Sequence, residues 1–409
     1  MKVAVIGGGI VGLSTANWLK KYGQDVTLYD REDPGSQASF GNAGTYANYA
    51  NVPTNSSSFL YLFPYLAANM NSPLFFKKNY FLKSIPWLLK YLFNSNSYKS
   101  KKVSDQLTLL LSSMNDGYSE LFKEADVEEF LGRESTLYLW STRFFYNSAK
   151  TDFETRSRTG SKIEILNHDD ISDLEPNIKN FFYKGAIFHG SYYSKNPKKI
   201  SEKLLQLFIS KGGIFLKEDV VNISTRKDIK VEIETAGSKN HFDKIIICAG
   251  AWSNELSSMV GDHFPLESER GYHLMYKKEE RKISRPVSWQ ERGTYFTPMN
   301  EGLRVGGVVE FGGKTKELNP KVINFLQRTA KSLFPDLKNH YSEWVGFRPS
   351  TPDSIPVIGQ SPKNPYIYYC FGHQHVGWTL GGISGKLIAQ EVSANKTDID
   401  LKSFSPERF

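Results

Sequence analysis

The chain has 409 residues, with 51 lysines and arginines against 43 aspartates and glutamates and a formal net charge of +8. That length exceeds what one hydrophobic core fills, so two interleaved domains are expected. The mild positive excess suits an acidic small substrate, an anionic cofactor or an anionic membrane surface, and it gives no ground for expecting nucleic acid.

Residues 3–6 are an apolar run of strand length leading into Gly7-Gly8-Gly9-Ile10-Val11-Gly12. Gly7, Gly9 and Gly12 fall on a GxGxxG spacing: the first glycine permits a tight turn, the second lets the backbone approach a pyrophosphate, and the third lets the next helix pack on the strand. Ile10, Leu13, Ala16 and Leu19 form the apolar stripe of a helix over 10–22, which Gly23 closes. A second strand over 24–29 ends at Asp30, eighteen positions after Gly12, where a carboxylate accepts hydrogen bonds from an adenosine ribose. A signal peptide is the competing reading of this start, but three consecutive glycines cut the apolar run and no small-residue cleavage site follows.

Between Asn55 and Lys102, aromatic residues from Phe59, Tyr61, Phe63 and Tyr65 to Trp87, Tyr91 and Phe93 are interleaved with lysines. Such a mixture suits a peripheral membrane contact through residues 56–102, or the more usual fate of aromatic stripes, a domain core with a dimer contact. Asn196-Pro197 then opens a helix striped by Ile200, Leu204, Leu207 and Phe208 and stopped at Gly212-Gly213, with strands over 214–216 and 220–223. A strand over 242–248 runs into Ala249-Gly250-Ala251, small residues that let the backbone pass close to a flat ligand. This second βαβ-type alternation, far from the first, implies a nucleotide-binding domain assembled from separated pieces.

The segment 346–359 is too rich in proline and glycine for a helix, and its single arginine, Arg348, sits among small and apolar neighbours. A planar guanidinium there suits a bidentate grip on a carboxylate, or bonds to backbone carbonyls. After a strand over 366–371, residues 372–382 read as a glycine-rich turn opening a helix over 383–392, whose N-terminus favours the negative charge of a reduced flavin. His373 and His375 have no third ligand nearby in sequence, so they read as pocket-lining or hydrogen-bonding groups and no metal is expected. Cys248 and Cys370, the only cysteines, lie in apolar strand-like runs and read as buried thiols of a reducing compartment. No apolar run reaches the roughly eighteen residues of a spanning helix, so the expected location is cytoplasmic, or peripheral to the inner face of the membrane.

Together with Ser39 to Gly44, Arg270-Gly271-Tyr272-His273-Leu274, Gly306-Gly307, Gly346-Phe347-Arg348-Pro349 and Thr351-Pro352-Asp353, these motifs resemble, end to end, the FAD-dependent D-amino-acid oxidase superfamily and its bacterial D-amino-acid dehydrogenase branch. The resemblance implies an α/β fold: a discontinuous Rossmann-like FAD-binding domain (1–50, 160–262 and 335–409) with an interleaved α+β substrate domain (51–159 and 263–334) on a mainly antiparallel sheet. It places FAD against Gly7, Gly9, Gly12, Asp30 and Arg31 at the adenosine and pyrophosphate end. Asn42, Ala43, Gly44, Gly377, Trp378, Thr379 and Leu380 would serve the isoalloxazine, with Val221, Ala249, Gly250 and Gly372 also in the cofactor site. Arg348 would bind the substrate carboxylate and Tyr272 would sit on the substrate face; His375, read from this sequence's own residues beside the flavin, is expected in the catalytic set with them.

Three departures stand out: Gln374-His375 in place of a glycine and a small residue, Arg270 in place of lysine, and Ser354 in place of glycine. The implied reaction is hydride transfer from the amine-bearing Cα of a D-amino or D-imino acid to flavin N5, giving an imine and then a 2-oxo acid, with a quinone or oxygen as final acceptor. A sarcosine, glycine or N-methyl amino acid oxidase is the nearest alternative. Further off stand a tRNA-modifying flavoenzyme, against which the scattered positive charge argues, and a flavin-binding protein without turnover. A homo-oligomer is compatible with all of these.

Overall fold

Five short runs of apolar and β-branched residues pair in parallel, in the spatial order Ile214–Leu216, Asp25–Tyr29, Lys2–Ile6, Lys244–Ile247 and Ile367–Phe371, and Val357–Gln360 closes the far edge antiparallel. The computed structural model describes residues 1–56, 72–226, 229–280 and 282–409. Strands of a parallel sheet are covered on both faces, and alternation along Lys2–Ile6 shows how. Val3 and Val5 join a core built with the helices Ile10–Lys21, Pro197–Ser210 and Gly377–Val392. Ala4 and Ile6 face the opposite way, toward a small sheet of Val220–Arg226, Lys230–Thr235 and Lys239–Phe242. All four residues of the predicted stripe on the first helix, Ile10, Leu13, Ala16 and Leu19, are buried.

A second, larger sheet runs Ser342–Ser350, Glu267–Tyr276, Gly302–Phe311, Thr294–Met299, Val287–Trp289, Leu137–Trp140, Lys184–Phe188, Ile163–Leu166, and Leu74–Phe76 pairs with Gly302–Phe311. Most of its pairings are antiparallel. The amphipathic helix Pro320–Leu333 closes its core through Val322, Leu326, Ala330 and Leu333.

The expected architecture is therefore present, but the division by residue number is not. Ile163–Leu166, Lys184–Phe188 and Ser342–Ser350, assigned from sequence to the cofactor domain, are strands of the large sheet. Conversely, the helices Ser97–Ser112 and Met114–Ala125, assigned to the substrate domain, place Leu107, Leu110, Tyr118 and Leu121 in one core with Leu13 and Leu387. Two element boundaries also shift. The run 242–248 breaks at Asp243, whose carboxylate accepts from the backbone N–H of Lys2 at 2.8 Å, so that Lys239–Phe242 and Lys244–Ile247 join different sheets. The last helix starts at Gly377, six residues before the predicted Ile383, because Gly381 and Gly382 serve as a flat seat for the Tyr118 ring inside the helix.

Cys248 and Cys370 are buried free thiols. Among the described residues no helix is long and apolar enough to cross a membrane. Phe59, Tyr61, Phe63 and Tyr65, part of the aromatic stretch noted in the sequence, lie outside the described residues.

Candidate active site

One cavity of about 460 Å³ begins at the carboxyl ends of the parallel strands and reaches the large sheet, with Gly7, Asp30 and Arg31 in its wall on one side and Gly271, Trp344 and Arg348 on the other. Its position, outside the strand ends of an open α/β sheet, is where such sheets bind ligands. The turn after the first strand is shaped by what its glycines lack. A Cβ on Gly7, which holds φ +111°, would stand 2.5 Å from the carbonyl oxygen of Cys248, and one on Gly12 would stand 1.8 Å from that of Gly7. Asp30 accepts from the backbone N–H groups of Gly8 at 2.6 Å and Glu32 at 2.8 Å, fixing its carboxylate over the turn. Burial nonetheless raises its pKa above the ordinary aspartate value, the two backbone bonds acting in the opposite sense.

Arg31 also lines the cavity, with its guanidinium 4.3 Å from the ring centre of Trp252. Trp252 is a lining residue that sequence reasoning passed over, although it follows directly on the small-residue run. Ala249 and Gly250 line the cavity, but Val221 does not. A bulge between Val220 and Asn222 leaves Val221 half exposed and gives the lining position to Val220.

The loop Ser39 to Gly44 is held from several sides. Ser39 Oγ accepts from the N–H of Ile10 at 2.9 Å, and Asn42 Oδ1 accepts from the N–H of Gly44 at 2.6 Å. The buried Arg304 donates to the carbonyls of Phe40 and Asn42, at 2.8 Å each. Burial lowers its guanidinium to about 10, and its two bonds tie the loop to the strand Gly302–Phe311. Its single position in an apolar strand gave no sign of that in the sequence. Asn42 lines the cavity. Ala43 and Gly44 are not in its wall: the Ala43 carbonyl accepts from Thr297 Oγ1 at 2.9 Å, and Gly44 packs on the Ser194 carbonyl.

Gly377 and Trp378, at the N-terminus of the last helix, line the cavity. Thr379 and Leu380 lie just behind. Thr379 Oγ1 accepts from the N–H of Ala47 at 3.1 Å, and Leu380 is fully buried in the helical core. Gly372 is a turn residue at φ +81°, packed on Thr351 and set back from the wall.

On the large sheet, Arg348 lines the cavity from the strand Ser342–Ser350. It donates to the carbonyls of Val308 at 2.8 Å and Gly307 at 3.4 Å, so the two sequence readings, carboxylate clamp and backbone-bonded arginine, meet in one side chain whose remaining N–H groups are free of those bonds. The carbonyls reach it through a bulge opposite Gly271 that puts Val308 at φ +55°, a conformation costly for a β-branched residue. Gly271 is itself part of the arrangement, because a Cβ there would stand 2.4 Å from an Arg348 terminal nitrogen. Tyr272, expected on the substrate face, points the other way: it is buried in the core of the large sheet and its hydroxyl donates to Glu310, which also pairs with buried Arg270 at 2.6 Å. Strand alternation that brings Gly271 to the cavity turns its neighbour away.

His375 lines the cavity with its side chain open to it, and the protein enclosing that cavity, with the positive charges of Arg348 and Arg156, lowers its imidazole to about 4. His373, within 2.9 Å of Ser384 Oγ, is lowered by burial to about 3. Both are neutral in the folded protein at pH 7, whereas an unfolded histidine protonates near 6.5. Between those values the unfolded chain binds more protons, so these groups cost stability progressively as pH falls from about 6.5 toward 4 and contribute nothing above it. The melting temperature of His375→Asn should accordingly fall less than that of the parent between about pH 7 and pH 5; parallel curves would show that His375 titrates normally in the fold. Among the described residues no group of three or more His, Cys, Asp or Glu is placed to hold a metal ion.

The residues present fit FAD. The glycine turn leaves bare backbone where a pyrophosphate would lie, Asp30 stands at the ribose position, and two helix N-termini open on the same cavity. A two-domain flavin-dependent oxidoreductase is the class this fold and cavity define. The family model for FAD dependent oxidoreductases matches residues 2–391, and the chain belongs to that family. It is 29% identical over 415 residues to a D-amino-acid oxidase of Bradyrhizobium diazoefficiens, covering 100% of this chain and 98% of the relative. It is 26% identical over 430 residues to a D-amino acid dehydrogenase of Rhizobium rhizogenes, covering both chains in full. Glycine oxidase from Geobacillus kaustophilus shares the fold, with a TM-score of 0.78 at 20% identity over 100% of this chain and 98% of the other.

Proposed function

We propose that this enzyme oxidises a D-amino or D-imino acid at its amine-bearing carbon. The observation that carries the reading is Arg348, a guanidinium in the cavity wall, anchored by two backbone carbonyls and keeping further N–H groups for a carboxylate. The glycine turn, Asp30 and the start of the last helix would hold FAD, which would supply the two-electron acceptor. The chain's own part is orientation: a carboxylate pinned at Arg348 fixes the adjoining Cα, and positioning of this kind supplies much of a hydride-transfer rate. Neutral His375 beside it adds no positive charge against loss of hydride. D selectivity is supported by the two full-length relatives, one named an oxidase and the other a dehydrogenase. We take a quinone as the preferred acceptor, with oxygen as the other, and assign the large sheet to substrate and the parallel sheet to cofactor.

Anaerobic loss of the visible flavin absorbance against a panel of D-amino acids, L-amino acids, D-proline derivatives, sarcosine and glycine tests this. Bleaching by D-amino or D-imino acids with slow recovery in air is the expected result. Bleaching only by sarcosine or glycine, with rapid recovery, replaces the proposal with an N-methyl amino acid or glycine oxidase.

A further inference from the structure

The helix Lys78–Phe93 has two apolar faces, and among the described residues only the inner one packs against the body of the protein. On the inner face Trp87 stacks on Tyr91 at 5.0 Å between ring centres and packs against Phe311, while its indole N–H donates to the Pro265 carbonyl at 3.0 Å. Tyr80 donates to Glu267 at 2.9 Å on the same side. The helix is therefore fastened to the body of the protein.

Its outer face carries Leu82, Pro86, Leu89 and Phe93 at spacings of four, three and four, which at 100° per residue fall within one narrow stripe. Leu82 is 76% exposed, Leu89 62% and Phe93 72%, and Tyr98, just past the helix end, is 81% exposed. Large apolar residues lined up in this way on a well-anchored helix are not the scattered exposure ordinary surfaces show.

The charges around the stripe have one sign. Residues 72–104 contain seven lysines and no carboxylate. Lys77 pairs with Glu317 and Lys99 lies 3.6 Å from the Phe93 ring centre. Among the described residues Lys78, Lys83, Lys90, Lys101 and Lys102 have no carboxylate partner, and all five are exposed. An apolar stripe bordered by lysines on a helix lying along the surface is the form that inserts shallowly into a bilayer while its cations meet anionic headgroups. A second copy of the same face is a poor occupant, since it would set lysine against lysine.

We infer that the outer face of the helix Lys78–Phe93 docks this enzyme on an anionic lipid bilayer. The inference is independent of which amino acid is oxidised, and it places the cofactor protein at the phase in which a lipid-soluble quinone resides. The test is co-sedimentation of the full-length, FAD-loaded protein with vesicles of phosphatidylcholine alone or mixed with phosphatidylglycerol, at low and high salt. Binding to the anionic vesicles only, released by salt and reduced at least tenfold in both Leu89→Glu/Phe93→Glu and Lys83→Glu/Lys90→Glu, is expected, with flavin content and turnover against a soluble dye unchanged. No binding to anionic vesicles, or binding that survives both double substitutions, would overturn it. So would a concentration-dependent dimer in lipid-free buffer that Leu89→Glu/Phe93→Glu abolishes, which would assign the stripe to self-association.

Discussion

Replacing Arg348 with alanine should lower kcat/KM for the bleaching substrate by about 3 kcal/mol or more, on the order of a hundredfold or beyond, with flavin content intact. The magnitude follows from taking a bidentate partner from a carboxylate out of contact with bulk water, and the location follows from the wall of the cavity. Lysine should rescue little, because a single ammonium cannot both hold the carbonyls of Val308 and Gly307 and present a flat pair of donors to the substrate. Gly271→Ala should give an intermediate loss, since its Cβ would displace the guanidinium without removing it. Steady-state kinetics on the three variants decides the matter: a loss under threefold in Arg348→Ala would take this residue out of substrate binding.

The second large effect is expected at Gly12, where even a methyl group has no room beside the Gly7 carbonyl. Gly12→Ala must push the first helix off the turn, at a cost of about 1–3 kcal/mol for overpacking of this kind, and with it the backbone proposed to cradle the pyrophosphate. The purified variant should be colourless and melt at a lower temperature. Protein that keeps full flavin stoichiometry would refute this account of the turn. Gly9→Ala should also lose flavin, although its Cβ would meet only Ser39 Oγ, at 3.3 Å; its methyl group intrudes on the ligand's space and not on the protein's own.

Much of this site was legible because its spacing has a fixed geometric meaning. Gly7, Gly12 and Asp30 occupy a strand, turn, helix and strand whose lengths leave one arrangement, and the structure builds it. Two of the departures are offsets of a single residue in a strand. Val221 was chosen where Val220 lines the cavity, and Tyr272 where Gly271 does. Side chains on a strand alternate, so an offset of one reverses the face, and each slip sits beside a bulge that no local pattern announces. Arg304 was invisible for a different reason. Its task is to bind carbonyls of a loop some 260 positions earlier in the chain, and nothing in a strand's own composition encodes a distant acceptor. The domain limits were misplaced because hydrophobic periodicity tells a helix that it has a buried face but not which core will bury it. Met114–Ala125 is such a helix, with Tyr118 and Leu121 given to the far unit.

That shared packing has a consequence for how such a protein can be taken apart or rebuilt. The Tyr118 hydroxyl donates to the carbonyl of Trp378 at 2.7 Å, and its ring sits on Gly381 and Gly382, so a segment from one side of the chain's topology is keyed into the helix that opens on the cofactor cavity. A contiguous cassette cannot be cut out and replaced with that of a relative without stripping the key from its slot. In this chain a change of substrate preference is therefore sought by point changes in the cavity wall, since an exchanged block would have to bring its own match for Gly381 and Gly382.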